Sequence, residues 1–156
     1  TGGGAINSVT FAKTTYRPAP AKFEAGTPNI AGAIGLGAAA KYIQKIGMQS
    51  VAAYEHELLE YASTTLSQIP WVRLIGSPRK RASILSLVVE GVHAHDVGTI
   101  LDSMGIAIRS GHHCAQPLIE RLGLVATARV SLAFYNLKDE IDRLTEGLYR
   151  VREVFG

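Results

Sequence analysis

A chain of 156 residues, 47% hydrophobic and 19% charged, has the composition of an ordinary soluble globular domain, long enough to bury roughly 70% of the surface its unfolded form would expose. Its 16 basic and 13 acidic residues leave a net charge of +3, and the basic ones are scattered: the densest run, Arg79-Lys80-Arg81, reads as a solvated turn, so nucleic acid is not an expected partner. One cysteine forms no internal disulfide, and the longest apolar run, Ile30 to Ala40, is too short for the roughly 20 residues a bilayer span needs; with no signal peptide visible, the expected location is cytoplasmic.

Taken in order, the chain opens on Thr1-Gly2-Gly3-Gly4 without a methionine, which suggests a start inside a longer chain. Residues 1–29 are rich in loop signals, with Pro18, Pro20, Gly26 and Pro28. A helix is expected from about Asn29 to Ile46, stopped by Gly47. A second runs from about Met48 to Gln68, with Val51, Tyr54, Leu58, Tyr61 and Leu66 near helical period. Trp71 to Ile75 reads as a short strand. Ser83 to Val89 reads as a strand buried on both faces. Asp96 to Met104 is predicted as a short helix, Gly105 as its stop, and Ile106 to Ile108 as a brief strand. Ala126 to Phe134 alternates, with Ala128, Val130, Leu132 and Phe134 on one side and Thr127, Arg129 and Ser131 on the other. Asn136 is placed to cap a final helix whose Leu137, Ile141, Leu144, Leu148, Val151 and Phe155 make one apolar face. The expected architecture is a small α/β layer with helices packed on a short sheet.

The chemistry concentrates in Arg109-Ser110-Gly111-His112-His113-Cys114-Ala115-Gln116-Pro117. A structural zinc site needs four ligands, and adjacent residues of an extended segment point opposite ways, so His112 and His113 are poor joint ligands; no metal is expected. A free cysteine is most often a buried small hydrophobe. Here it stands in a polar, glycine-containing loop with an arginine and two histidines nearby, which favours a reactive thiol. Arg129, on the polar face of its strand between the small Thr127 and Ser131, has the planar fork that suits a carboxylate. A thiol beside a carboxylate clamp suggests a small amino- or keto-acid substrate.

Four stretches, "RSGHHCAQPL", "ATARVSLAFYN", "HAHDVGTILDSMGIAIRSG" and "KFEAGTPNIAGAIGLGAA", together resemble the C-terminal part of a Suf-type (group II) cysteine desulfurase, a branch of the class V aminotransferase-like proteins that includes the selenocysteine lyase-like enzymes. The resemblance covers essentially the whole chain. It implies the fold type I architecture of pyridoxal 5'-phosphate enzymes, with residues 1–42 as the end of the large cofactor domain and its connecting helix, and residues 43–156 as the C-terminal small domain. It implies Cys114 as the nucleophile that receives sulfur as a persulfide, Arg129 as the grip on the substrate carboxylate, and Arg109 as the arginine opening the cysteine loop. Thr27 matches a threonine that reaches the cofactor phosphate of the partner subunit in a homodimer. Gly2 to Gly4 match a glycine-rich stretch near the dimer interface, and His112 and His113 match paired histidines without an assigned role. The implied reaction takes L-cysteine to alanine, or selenocysteine in the lyase alternative, and passes sulfur to an acceptor scaffold protein for iron–sulfur cluster assembly. The lysine that holds the cofactor in this family is upstream and matches none of the chain's six, so the chain by itself is expected to be inactive. A non-catalytic interaction domain of the same fold and, more distantly, a cysteine hydrolase using Cys114 with His112 or His113 are the rivals.

Overall fold

Thr10 closes the first turn of the chain: its hydroxyl accepts from the Lys13 amide at 3.0 Å and donates to the Lys13 carbonyl at 2.9 Å. The turn joins β1 (Ile6–Val9) to β2 (Thr14–Tyr16) as an antiparallel pair, irregular between Ile6 and Ser8. In this computed structural model, which describes residues 2–156, the loop-rich N-terminus therefore holds a small hairpin that the density of turn residues conceals. Asn29 Oδ1 accepts from the Gly32 amide at 2.8 Å and starts α1 (Ile30–Ile46). Gly47, at φ 97°, ends it in a conformation that glycine adopts without penalty. The chain divides into two compact units between Met48 and Gln49.

In the second unit, α2 (Met48–Ser67) leads into β3 (Val72–Ile75) and β4 (Ile84–Val89). Then come α3 (Ala94–Ser103), β5 (Arg109–Gly111), the short α4 (Gln116–Arg121), β6 (Thr127–Ser131) and α5 (Lys138–Phe155). The four strands form one antiparallel sheet in the order β3-β4-β6-β5. One face is covered. Leu85, Leu87 and Val89 of β4 and Ala128 and Val130 of β6 join Leu58 and Leu66 of α2, Val97 and Leu101 of α3, and Ile141, Leu144, Leu148 and Val151 of α5 in a single buried cluster. Each fully buried aliphatic side chain contributes roughly 1.5–3 kcal/mol. Close approach of α3 to β5 depends on Gly98, where a Cβ would stand 2.6 Å from Ser110 Oγ.

Several expectations are corrected in detail. β4 alternates instead of being buried on both faces: Ile84 is 43% exposed. The sheet is antiparallel and helices cover one side only, so period-2 burial follows. α3 begins at Ala94, because His93 Nδ1 accepts from the His95 amide at 3.2 Å and the His93 carbonyl accepts from Asp96 and Val97. Ile106 to Ile108 is not a strand. The Ile106 amide is taken by the Leu101 carbonyl at the end of α3, and pairing begins only at Arg109. β6 stops at Ser131, and the chain turns back where Ala133 donates to Asn136 Oδ1 at 2.8 Å. Asn136 therefore spends its oxygen on that turn and does not cap α5. Glu140 organises the helix start instead, accepting from the Leu137 amide at 2.9 Å and from Asn136 Nδ2 at 3.0 Å. Those two donors hold the Glu140 carboxyl below its ordinary range. Leu137 and Phe155 stay exposed at the ends of the α5 stripe. No helix among the described residues is long and apolar enough to cross a membrane.

Candidate active site

The uncovered sheet face carries a polar row. Ser86 of β4 stands opposite Arg129 of β6, and Arg129 stands opposite Arg109 of β5. Two arginines directly across an antiparallel pair repel one another, unlike most cross-strand pairs. The half-buried Arg129 has its Nε inside the protein without a hydrogen-bond partner. Two arginines in register on one sheet face, one with an unanswered buried donor, have the chemistry to donate to an anion.

Beyond β5 the chain makes an unusual turn. Gly111 has φ 124°, His113 φ 56° and Cys114 φ 60°. Glycine takes such a value freely. For a non-glycine residue the left-handed region costs on the order of 1–3 kcal/mol and persists only where surrounding structure imposes it. The turn sends the two histidines apart: His112 is exposed, and His113 is half-buried against β6. His113 Nε2 lies 2.8 Å from Thr127 Oγ1 and 3.2 Å from the Thr127 carbonyl. A carbonyl only accepts, so the network assigns the proton to Nε2. Nδ1 is then a bare acceptor, buried without a partner. Burial pushes the His113 pKa below the ordinary 6.5, and the nearby positive groups Arg129, Arg109 and His112 push the same way, against the Thr127 hydrogen bond.

Cys114 is exposed. Arg109 Nη2 lies 3.6 Å from its Sγ, a donor placed to stabilise negative charge on sulfur. Arg109, Ser110, His112, His113, Cys114 and Gln116 line an open cleft. Ser110 Oγ, on the α3 side of β5, is a further buried polar atom without a partner. No group of three or more histidines, cysteines or carboxylates among the described residues is arranged to hold a metal.

The structure thus brings Cys114, Arg109 and Arg129 to one corner of the second unit. Thr27 lies in the first unit, exposed, on the loop before α1. Gly2 and Gly4 lie against the segment leading into it: a Cβ on Gly4 would meet the Glu24 carbonyl at 2.8 Å, and one on Gly2 would run into the Ala25 carbonyl. Sequence reasoning did not find Thr127 as the partner of His113. The signal available was its place on the same strand face as Arg129.

The chain matches the aminotransferase class-V family over residues 1–144. It belongs to that family. Among class-V relatives, a cysteine desulfurase of Synechococcus elongatus is 54% identical over 151 residues, covering 97% of this chain and 24% of the relative. A probable cysteine desulfurase of Mycobacterium leprae is 53% identical and is matched over 100% of this chain and 38% of its own length. The crystal structure of the Escherichia coli cysteine desulfurase CsdA superposes with a TM-score of 0.82 at 36% identity, over 100% of this chain and 39% of that one. The chain therefore spans about a quarter to two fifths of the class-V proteins it matches.

Proposed function

We propose that this chain is the C-terminal part of a Suf-type cysteine desulfurase in which Cys114 takes sulfur from L-cysteine as a persulfide. The observation that carries the reading is an exposed thiol 3.6 Å from one guanidinium of a cross-strand arginine pair whose other member holds an unpaired buried Nε. Arg129, with Arg109 beside it, receives the substrate carboxylate and so delivers the substrate's sulfur toward Cys114. The Cys114 thiolate attacks that sulfur. An S–S bond forms and the C–S bond breaks, its electron pair staying on the substrate carbon, which takes up a proton and leaves as alanine.

Pyridoxal 5'-phosphate fits this arrangement as a neighbour of the corner. None of the chain's lysines lines the Cys114 cleft, so the residues present make the carboxylate-and-thiol side of such a site, and Thr27 is the residue that would reach the cofactor phosphate. When bound, the cofactor supplies an electron sink at the substrate α-carbon. Residues 1–42 are read as the end of the cofactor domain, supported by a helix, α1, that is apolar nearly all round from Ile30 to Ala40 and buries no residue. The complete protein is read as a cytoplasmic homodimer handing its sulfur to a thiol-bearing acceptor scaffold for iron–sulfur cluster assembly.

The test is persulfide labelling of the full-length protein after incubation with L-cysteine. The wild type carries label on Cys114 and releases alanine. Cys114→Ala loses both while retaining bound cofactor. Alanine release undiminished in Cys114→Ala sinks the reading.

A further inference from the structure

We propose that His113 is a positioning residue: as a neutral, Nε2-protonated imidazole donating to Thr127, it clamps the cysteine loop to β6 and so fixes Cys114 beside Arg109. The inference rests on the desulfurase reading for its kinetic consequences, but the clamp itself is readable without turnover.

The argument starts from the backbone. His113 and Cys114 are consecutive non-glycine residues in the left-handed region, which histidine visits more readily than most side chains and which nothing intrinsic to cysteine favours. The turn closes on itself where the Ala115 amide donates to the His112 carbonyl at 2.9 Å, but that bond does not tie the loop to the sheet. Arg109, across the loop, meets the sulfur of Cys114 at 3.6 Å and from an exposed side chain. The stronger tie is His113, whose Nε2 is 2.8 Å from a hydroxyl on a residue that is fully buried. Thr127 sits in the sheet opposite Gly111 and two residues before Arg129. The clamp therefore references the thiol to the strand that carries the carboxylate grip. The loop that bears the nucleophile is thereby fixed to the strand that bears the proposed substrate anchor, which is what a transfer between them needs.

The unprotonated Nδ1 gives the clamp a definite charge state. It is buried without any hydrogen-bond partner, and Arg109 and Arg129 lie close by, so the ring works here as a neutral donor through Nε2. This also separates His113 from a general base for Cys114: its donor is committed to Thr127 and its free nitrogen is enclosed.

The experiment uses the full-length enzyme with four variants: His113→Ala, His113→Gln, Thr127→Val and the His113→Ala/Thr127→Val pair. A glutamine amide can reach the position of Nε2 and donate to Thr127, and valine keeps the shape of threonine without its hydroxyl. kcat for L-cysteine falls about tenfold or more in His113→Ala, since small misplacement of a reacting group is costly. KM stays within about twofold, because Arg129 is untouched. His113→Gln recovers most of the loss, Thr127→Val shows part of it, and the pair is no worse than His113→Ala alone. Alkylation of Cys114 at neutral pH, with no substrate present, slows severalfold in His113→Ala and recovers in His113→Gln. If His113→Ala does not fold, Thr127→Val and His113→Gln decide the matter. Wild-type kcat and alkylation rate in His113→Ala overturn the clamp, as does a folded His113→Gln no better than alanine, or strict additivity of the pair. A wild-type enzyme that forms no persulfide overturns the desulfurase reading instead, and the alkylation series still judges the clamp.

Discussion

Helices α1 and α5 are 17 and 18 residues long and both are rich in aliphatic side chains, yet α5 buries Ile141, Leu144, Leu148 and Val151 whereas α1 buries none. Ile34 and Leu36 of α1 are 69% and 73% exposed. The difference is one of pattern. In α5 the apolar residues recur at helical spacing among Lys138, Asp139, Arg143, Arg150 and other charged residues, so one face is specified for the core and the other for water. From Ile30 to Ala40, α1 carries no charge and no preferred face. The same contrast holds for the units that contain them. Among the described residues of the first unit Ala5 is the buried one, and the second unit closes a core around its sheet. A helix of the α5 kind completes a fold within its own unit. A helix of the α1 kind is written for surroundings on several sides, which supports the proposal that it belongs to a larger cofactor domain.

The largest expected effect sharpens that contrast directly. Leu148 is fully buried, and Leu148→Ala should cost about 2–5 kcal/mol of unfolding free energy by lost transfer and residual cavity. Ile34→Ala in this chain should stay within about 0.5 kcal/mol, as for any exposed site. In the full-length protein the same Ile34→Ala should become costly. Denaturant unfolding of both variants in both contexts is the measurement. An Ile34→Ala that remains neutral in the full-length protein would remove the case for a covered α1.

How far these features could be read from the sequence follows from the same distinction. The α5 stripe, the α2 stripe and the alternation of β6 were legible because each is a periodic pattern imposed by a one-sided core. What escaped was decided by hydrogen bonds between segments. The competition for Ile106's amide moved a strand from Ile106–Ile108 to Arg109–Gly111. The turn at Ala133 diverted Asn136 from capping. The hairpin at Ile6–Val9 and Thr14–Tyr16 has strands too short for periodicity to register. At the candidate site, Cys114, Arg109 and Arg129 stood out by residue type and loop context, but their common corner depends on a register, Arg109 opposite Arg129, that no local pattern encodes. The His113–Thr127 contact depends on two left-handed residues, and histidine and cysteine do not announce such a conformation as glycine does.

A smaller effect should separate the units by pH. His113 titrates below 6.5 in the folded protein, mainly because it is buried, with Arg129, Arg109 and His112 adding their positive charge. The unfolded chain then binds more protons than the folded one wherever the pH is between the two values, so stability rises with pH there. The contribution is complete above the unfolded value near 6.5 and is lost as pH falls through it toward the folded value. Thermal unfolding of the second unit should therefore weaken from pH 7 to pH 5, and His113→Gln should flatten that slope. An unchanged slope in His113→Gln would mean that other groups, not this imidazole, carry the acid sensitivity.

The smallest effect compares one local device in two settings. Asn29 starts α1 by accepting from the Gly32 amide at 2.8 Å, and Glu140 starts α5 by accepting from the Leu137 amide at 2.9 Å. Removing a side chain that answers an open helix amide costs about 0.5–2 kcal/mol, at the lower end for exposed sites such as these. In α5 that loss should appear whole in the unfolding of the second unit, because α5 and the sheet unfold together. Glu140→Ala also frees Asn136 Nδ2, so the turn after β6 loosens with the helix start. In α1 the equivalent Asn29→Ala should fray the first turn without moving the main transition, since no buried side chain ties that helix to a core. Amide exchange resolves the two. Protection around Gly32 should fall in Asn29→Ala with the global midpoint unchanged, and Glu140→Ala should lower the global midpoint with protection lost across α5. Equal shifts of the midpoint would show that α1 unfolds cooperatively with the second unit and that the division at Met48 is not an energetic one.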